Sequence, residues 1–205
     1  MDTILTPAKE NKKIHPHKFA LWIAMGSMSM MFAGLTSAYM VRESQGNWRY
    51  FTLPSLFTYS TFVIILSSIT AHLAVKAFKK QEVSKFKKLI YATILLGLLF
   101  GLLQFAGFYQ LLHTPQVIKI NGQVLNDATS IHLDGNPSES FIYIISGLHL
   151  LHIFSGIIAL VIVFWRTLRK EIKTFNSTGL EIVASYWHFV DILWVYLFIF
   201  FLVNQ

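Results

Sequence analysis

Four side chains able to bind a metal or carry a proton stand where their neighbours are hydrocarbon: His149, His152, His188 and Asp191. The first two belong to Gly147-Leu148-His149-Leu150-Leu151-His152. The other two belong to Tyr186-Trp187-His188-Phe189-Val190-Asp191-Ile192-Leu193-Trp194. An ionisable group at bilayer depth costs roughly 3 kcal/mol on insertion scales, so such groups are normally paired, buried in protein and tied to function. Imidazoles and a carboxylate can ligate a metal or haem, pass a proton along the membrane normal, or lock two helices together by hydrogen bonds.

Depth decides which of these side chains can meet. Five apolar stretches are long enough to cross a bilayer core of about 30 Å, which takes about 20 residues per helix. They run Phe19–Val41, Pro54–Val75, Leu89–Leu112, Phe141–Trp165 and Ile182–Val203. At 1.5 Å per residue, His149 lies roughly 12 Å and His152 roughly 17 Å down the fourth span, and Asp191 roughly 14 Å up the fifth. His188 is one turn from Asp191. The spacing of three puts His149 with His152, and His188 with Asp191, on shared helix faces. If the last two spans pack antiparallel, Asp191 can accept a hydrogen bond from an imidazole. Three readings stay open: a polar network fixing the two helices, a network that also touches a partner subunit or lipid headgroup, and a metal or haem site. No surrounding run of carboxylates supports a di-metal centre.

The composition sets the context. Of 205 residues, 54% are hydrophobic and 13% charged, with mean hydropathy +0.54. That is the balance of an all-α membrane protein, a five-helix transmembrane bundle, with no room for a sizeable soluble domain. Residues 1–18 form a polar, basic tail ahead of a membrane domain over 19–205. The first apolar run exceeds a signal peptide's core of roughly 7–15 residues and reads as a retained span. The absence of cysteine excludes disulfides, thiolate metal sites and covalently attached c-type haem in this chain. The net charge of +7 comes from clusters between spans, not from a soluble basic face, so nucleic acid is not indicated. All Lys and Arg except Arg42, Arg49 and Lys119 lie before the first span, between the second and third, or between the fourth and fifth. The positive-inside rule then puts the N-terminus in the cytoplasm and the C-terminus outside.

Other residues carry weaker signals. The loop 113–140 is the one long connection, and Asn121-Gly122 between short β-prone runs predicts an outer hairpin. The first span is rich in Gly, Ala, Ser and Met, and such small residues let helices approach closely. His72 reads as an interfacial histidine. Arg166, after Trp165, reads as an interface anchor whose geometry also suits a lipid phosphate. Glu181, seven residues before His188, either continues the polar stripe or caps the start of the last helix.

These motifs resemble subunit III of haem-copper terminal oxidases. Gly147 to His152, followed by Ser155-Gly156, is similar to that family's penultimate helix. Tyr186-Trp187-His188-Phe189-Val190-Asp191, followed by Trp194, is similar to its last. Ser67-Ser68-Ile69-Thr70, and Leu96-Gly97 through Leu102-Leu103-Gln104, resemble it more weakly. The resemblance runs from about Lys18 to the C-terminus and fits the short bacterial form with five helices. Two positions depart from longer members: Met28 and Gly107 stand where that family often has glutamates.

The resemblance implies a non-catalytic subunit III of an aerobic respiratory oxidase that reduces oxygen to water and translocates protons across the bacterial cytoplasmic membrane. Its expected partners are the catalytic subunit I, subunit II and phospholipids. Haem and copper are expected in the partner subunits and no cofactor or metal in this chain. Its expected contributions are assembly, lipid binding, oxygen access and sustained proton uptake. Trp187 and Trp194 are expected in the polar network with the His and Asp residues and Glu181. The alternatives are a small proton-coupled transporter or channel using a His/Asp relay, and a haem-binding cytochrome subunit.

Overall fold

A computed structural model describes residues 16–45, 48, 53–113, 118–120, 123–125, 137–169 and 177–204. Among the described residues there are five helices: α1 (Pro16–Ser44), α2 (Ser55–Lys79), α3 (Val83–His113), α4 (Pro137–Leu168) and α5 (Ser177–Val203). All five are long and apolar enough to cross a membrane. Each extends past its apolar stretch at one end or both, because polar residues such as Lys76 and Lys79 continue the backbone bonding after the lipid-compatible run stops. Pro54 stands outside α2 as its N-cap instead of being its first residue.

Between α3 and α4, β1 (Ile118–Ile120) pairs antiparallel with β2 (Gln123–Leu125), with Ile120 opposite Gln123. That is the hairpin predicted there; its turn residues Asn121 and Gly122 lie outside the described residues. Lys18, Lys79 and Lys85 lie at the opposite end of the bundle, its basic end. There α2 stops in a left-handed residue, Gln81 at φ 61°. The Gln81 and Glu82 N–H groups donate to the carbonyls of Phe78 and Ala77, closing the last turn of the helix. Lys85 bonds Glu82 at 2.8 Å and holds its carboxyl below the usual range.

The helices α2, α3, α4 and α5 form a closed ring of neighbours: α2 on α3, α3 on α4, α4 on α5 and α5 on α2. Helix α1 lies outside that ring, against α4 and α5 alone, and among the described residues it makes no Cα approach within 8 Å of α2 or α3. Only Phe32, Thr36 and Tyr39 of its 29 residues are buried. Tyr39 fastens its far end, with rings of Trp48, Phe200 and Phe141 at 4.6, 5.1 and 6.1 Å. The small residues of α1 do not bring a neighbour close within this chain: nothing lies within 4 Å of a Cβ added at Gly26 or Gly34.

Close approach happens elsewhere. A Cβ added at Gly97 of α3 or at Gly156 of α4 would stand 2.8 Å from the Trp187 indole. Both glycines are therefore the space that the largest side chain of α5 occupies. Lipid tails are as apolar as leucine, so apolar burial adds little between membrane helices. Packing contacts and interhelical hydrogen bonds hold them instead.

Candidate functional site

The centre of the bundle is built on α5, whose inward residues meet α2 by hydrogen bonds and α3 and α4 by packing. The Trp187 indole N–H donates to Ser67 Oγ at 3.1 Å, and Ser67 Oγ donates to the Thr93 carbonyl at 3.3 Å. Three helices are joined in that one line. Two turns on, the Trp194 N–H donates to Thr61 Oγ1 at 3.0 Å. Gln104 of α3 donates to Ser60 Oγ of α2 at 2.7 Å, and the Thr70 and Thr93 hydroxyls meet at 2.9 Å. Serines and threonines on α2 are thus the acceptors that let two tryptophans be fully buried in α5.

The four titratable side chains do not converge. His188 Nδ1 meets Ser68 Oγ at 2.6 Å, and its ring lies 6.3 Å from that of His72. His149 is wholly buried among the rings of Trp194, Phe32 and Phe100 at 5.2, 6.3 and 6.4 Å. Neither of its ring nitrogens has a hydrogen-bond partner. His152 bonds the Leu148 carbonyl of its own helix at 2.7 Å and meets the edge of Phe32. Asp191 is 3% exposed, and neither carboxyl oxygen makes a hydrogen bond. The Ser68 hydroxyl lies within electrostatic reach of it while bonded to His188.

The expected bond from an α4 imidazole to Asp191 is therefore absent, and the polar lock of α5 is to α2. The reason is geometric: α4 offers His149 into an aromatic cage, whereas α2 brings Ser67 and Ser68 under the α5 side chains. The α4–α5 seam has a polar contact of its own nearer the basic end. There the Ser155 and Tyr186 hydroxyls meet at 2.6 Å and Tyr186 donates to the His152 carbonyl at 3.1 Å.

Glu181 neither caps α5, which begins four residues earlier at Ser177, nor joins the central residues. It accepts from Lys18 of α1 at 2.7 Å and from Lys79 of α2 at 3.0 Å. Arg166 is exposed at the end of α4, beside a hollow of about 310 Å³ lined by Val161, Ile162, Trp165 and Arg169. The Arg169 guanidinium sits 5.3 Å from the Trp165 ring centre. Among the described residues no three His, Asp or Glu side chains gather closely enough to hold a metal ion. What sequence reasoning missed are Thr61, the bonding role of Ser67 and Ser68, which it named only for their family resemblance, and the cation pair on Glu181. Their signal was the hydroxyl periodicity of α2, with Ser60, Ser67 and Ser68 on one side of the helix.

The departure at Gly107 has a structural reason. A Cβ there would meet the Phe57 ring at 3.1 Å, so a glutamate would need Phe57 to move. Met28 is half-buried on α1.

Comparison with known proteins adds the family. Residues 19–204 match the family described as cytochrome c oxidase subunit III. A protein named "Probable cytochrome c oxidase subunit 3" from Nocardia farcinica is 32% identical over 87% of this chain and 82% of its own length. Cytochrome c oxidase subunit 3 of Thermostichus vulcanus is 31% identical over the same shares, 87% and 82%. Cytochrome bo(3) ubiquinol oxidase subunit 3 of Buchnera aphidicola is 26% identical over 95% and 88%. The match spans all five helices and both polar α4 and α5 motifs, and this chain belongs to the cytochrome c oxidase subunit III family.

Proposed function

We propose that this chain is the non-catalytic third subunit of a bacterial aerobic oxidase, associated with a catalytic subunit I and a subunit II that carry the haem and copper. Membership of the family makes it a subunit of a haem-copper oxidase. One observation carries the finer reading. Its mid-membrane side chains are spent on helix packing: Trp187 and Trp194 bond α2, and His149 is closed in by aromatic rings. Such a scaffold serves assembly and holds its partners in place through many turnovers, including sustained proton uptake at the cytoplasmic face. The basic residues at one end of the bundle orient it with that end and its N-terminus in the cytoplasm and the hairpin outside. The membrane is then the cytoplasmic membrane. The same residues attract anionic phospholipid heads, and the hollow at Arg166 and Trp165 takes one such head.

The test is affinity purification of this chain from its native membrane in mild detergent, with a reduced visible spectrum and mass spectrometry of its companions. A large histidine-rich subunit with a-, b- or o-type haem bands is the expected companion. A chain that arrives alone and colourless overturns the reading. The relay alternative has one observation on its side, the line from His72 through His188 to Ser68 beside Asp191. It requires proton flux in liposomes holding this chain alone.

A further inference from the structure

The α4–α5 seam carries a polar patch at mid-membrane depth. His152 Nδ1 lies 2.7 Å from the Leu148 carbonyl oxygen, which can only accept. Nδ1 therefore carries the hydrogen of the neutral ring, and Nε2 carries a bare lone pair. The Ser155 hydroxyl donates to the His152 carbonyl at 2.8 Å and the Tyr186 hydroxyl to the same oxygen at 3.1 Å. The two hydroxyls also meet each other at 2.6 Å. All three hydrogens of the patch are thus spent inside the chain. What remains are lone pairs, on His152 Nε2 and on the hydroxyl oxygens. Among the described residues nothing donates to Nε2. Ser155 is exposed and His152 and Tyr186 are half-buried, so the patch reaches the outer surface of the bundle.

We propose that this patch is a docking point for a transmembrane helix of a partner subunit, one that brings an N–H or O–H donor to His152 Nε2. The proposal rests on the subunit reading above and adds which face of the bundle meets a partner, and by what chemistry. An outward surface made only of acceptors calls for a donor, and depth decides where that donor comes from. His152 lies roughly 17 Å down its span, well inside a hydrocarbon core of about 30 Å. Lipid heads stay beyond either edge of that core, and an acyl chain brings no donor. A helix supplies one at any depth from a Ser, Thr, Asn, Gln, Tyr or Trp side chain. The surroundings fit a helix as well. Leu151, Ser155, Ile158 and Ile162 of α4 recur three or four residues apart and are all exposed, which makes one stripe with Ser155 in it. The far side of the bundle differs: every exposed residue over 62–69 of α2 and 95–105 of α3 is hydrocarbon and meets lipid without loss.

The test uses the complex purified from its native membrane, with a benzophenone amino acid in place of Leu151 at the edge of the patch. Mass spectrometry of the cross-linked peptides should find a membrane-span peptide of a co-purifying subunit. Adducts with lipid alone overturn the proposal. Three substitutions then test the chemistry by retention of the companion subunits through a detergent wash. His152→Gln keeps an acceptor near the position of Nε2 and should hold them as well as the unsubstituted chain. His152→Leu removes it and should lower retention about threefold or more, the factor of an interhelical hydrogen bond in a bilayer. Tyr186→Phe removes a bond inside the same seam but leaves Nε2 in place, and should retain them. Equal retention by His152→Leu and His152→Gln overturns the proposal, as does an equal loss in Tyr186→Phe, which would trace the effect to packing within the chain. If His152→Leu does not accumulate in the membrane, the cross-link decides alone. An unsubstituted chain that arrives without companions sinks the subunit assignment itself, whereas companions without a cross-link from position 151 sink only the docking point.

Discussion

At the scale of single residues, Trp187 does the most. Its indole fills the space that Gly97 and Gly156 leave, and its N–H ties α5 to Ser67. Trp187→Phe keeps most of the ring and should cost about 0.5–1.5 kcal/mol, the range of an interhelical hydrogen bond in a bilayer. Gly156→Leu drives a branched side chain into the indole and should cost more, about 1–3 kcal/mol or loss of the chain from the complex. Thermal inactivation midpoints of the purified complex rank the two, and equal midpoints would contradict the packing described. Asp191 behaves differently. It is buried with no hydrogen bond to its carboxyl, an arrangement that burdens the fold. Asp191→Leu should therefore leave the midpoint unchanged or raise it, by about 1 kcal/mol at most. A large drop would mean that a hydrogen-bonded partner exists in the assembled complex. The residues themselves were legible in the sequence, because charge in an apolar run cannot be hidden. Their partners were not: depth places His149 and Asp191 at one level, but which way each faces around its helix depends on packing against α2 and α3.

At the scale of elements, five spans were readable from length and hydropathy, and the hairpin from Asn-Gly between two β-prone runs. The order of packing was not readable. Small residues in α1 suggest a tightly held helix, yet the glycines that admit a tryptophan are Gly97 and Gly156, which no count of small residues distinguishes from Gly26 and Gly34. The difference lies in what stands opposite, a tryptophan from a helix far along the chain. The basic end of α1 depends on Lys18 and Glu181, with side chains 40% and 31% exposed. Such a pair is worth about 0–1 kcal/mol. Glu181→Gln should shift the midpoint little while raising hydrogen–deuterium exchange severalfold over residues 16–25, which little else holds. Unchanged exchange there would show that the ion pair is not what closes that end.

At the scale of the whole molecule, the charge distribution makes a prediction about orientation. The absence of native cysteine leaves a clean background for labelling. In intact cells a membrane-impermeant maleimide should modify Ser44→Cys, at the hairpin end, and spare Lys80→Cys, at the basic end, until the membrane is opened. The reverse pattern would turn the bundle over. The peripheral seat of α1 bears also on how the protein is made. Synthesis delivers α1 before α2 to α5, yet its docking surfaces are on α4 and α5, the later of those helices. The α2–α3 hairpin can close as soon as it is threaded into the bilayer, while α1 must wait in lipid or in the hands of an insertase. Truncated nascent chains ending before α4 should show a paired α2–α3 and an unattached α1, a helix made ahead of its neighbours that finds its place after them.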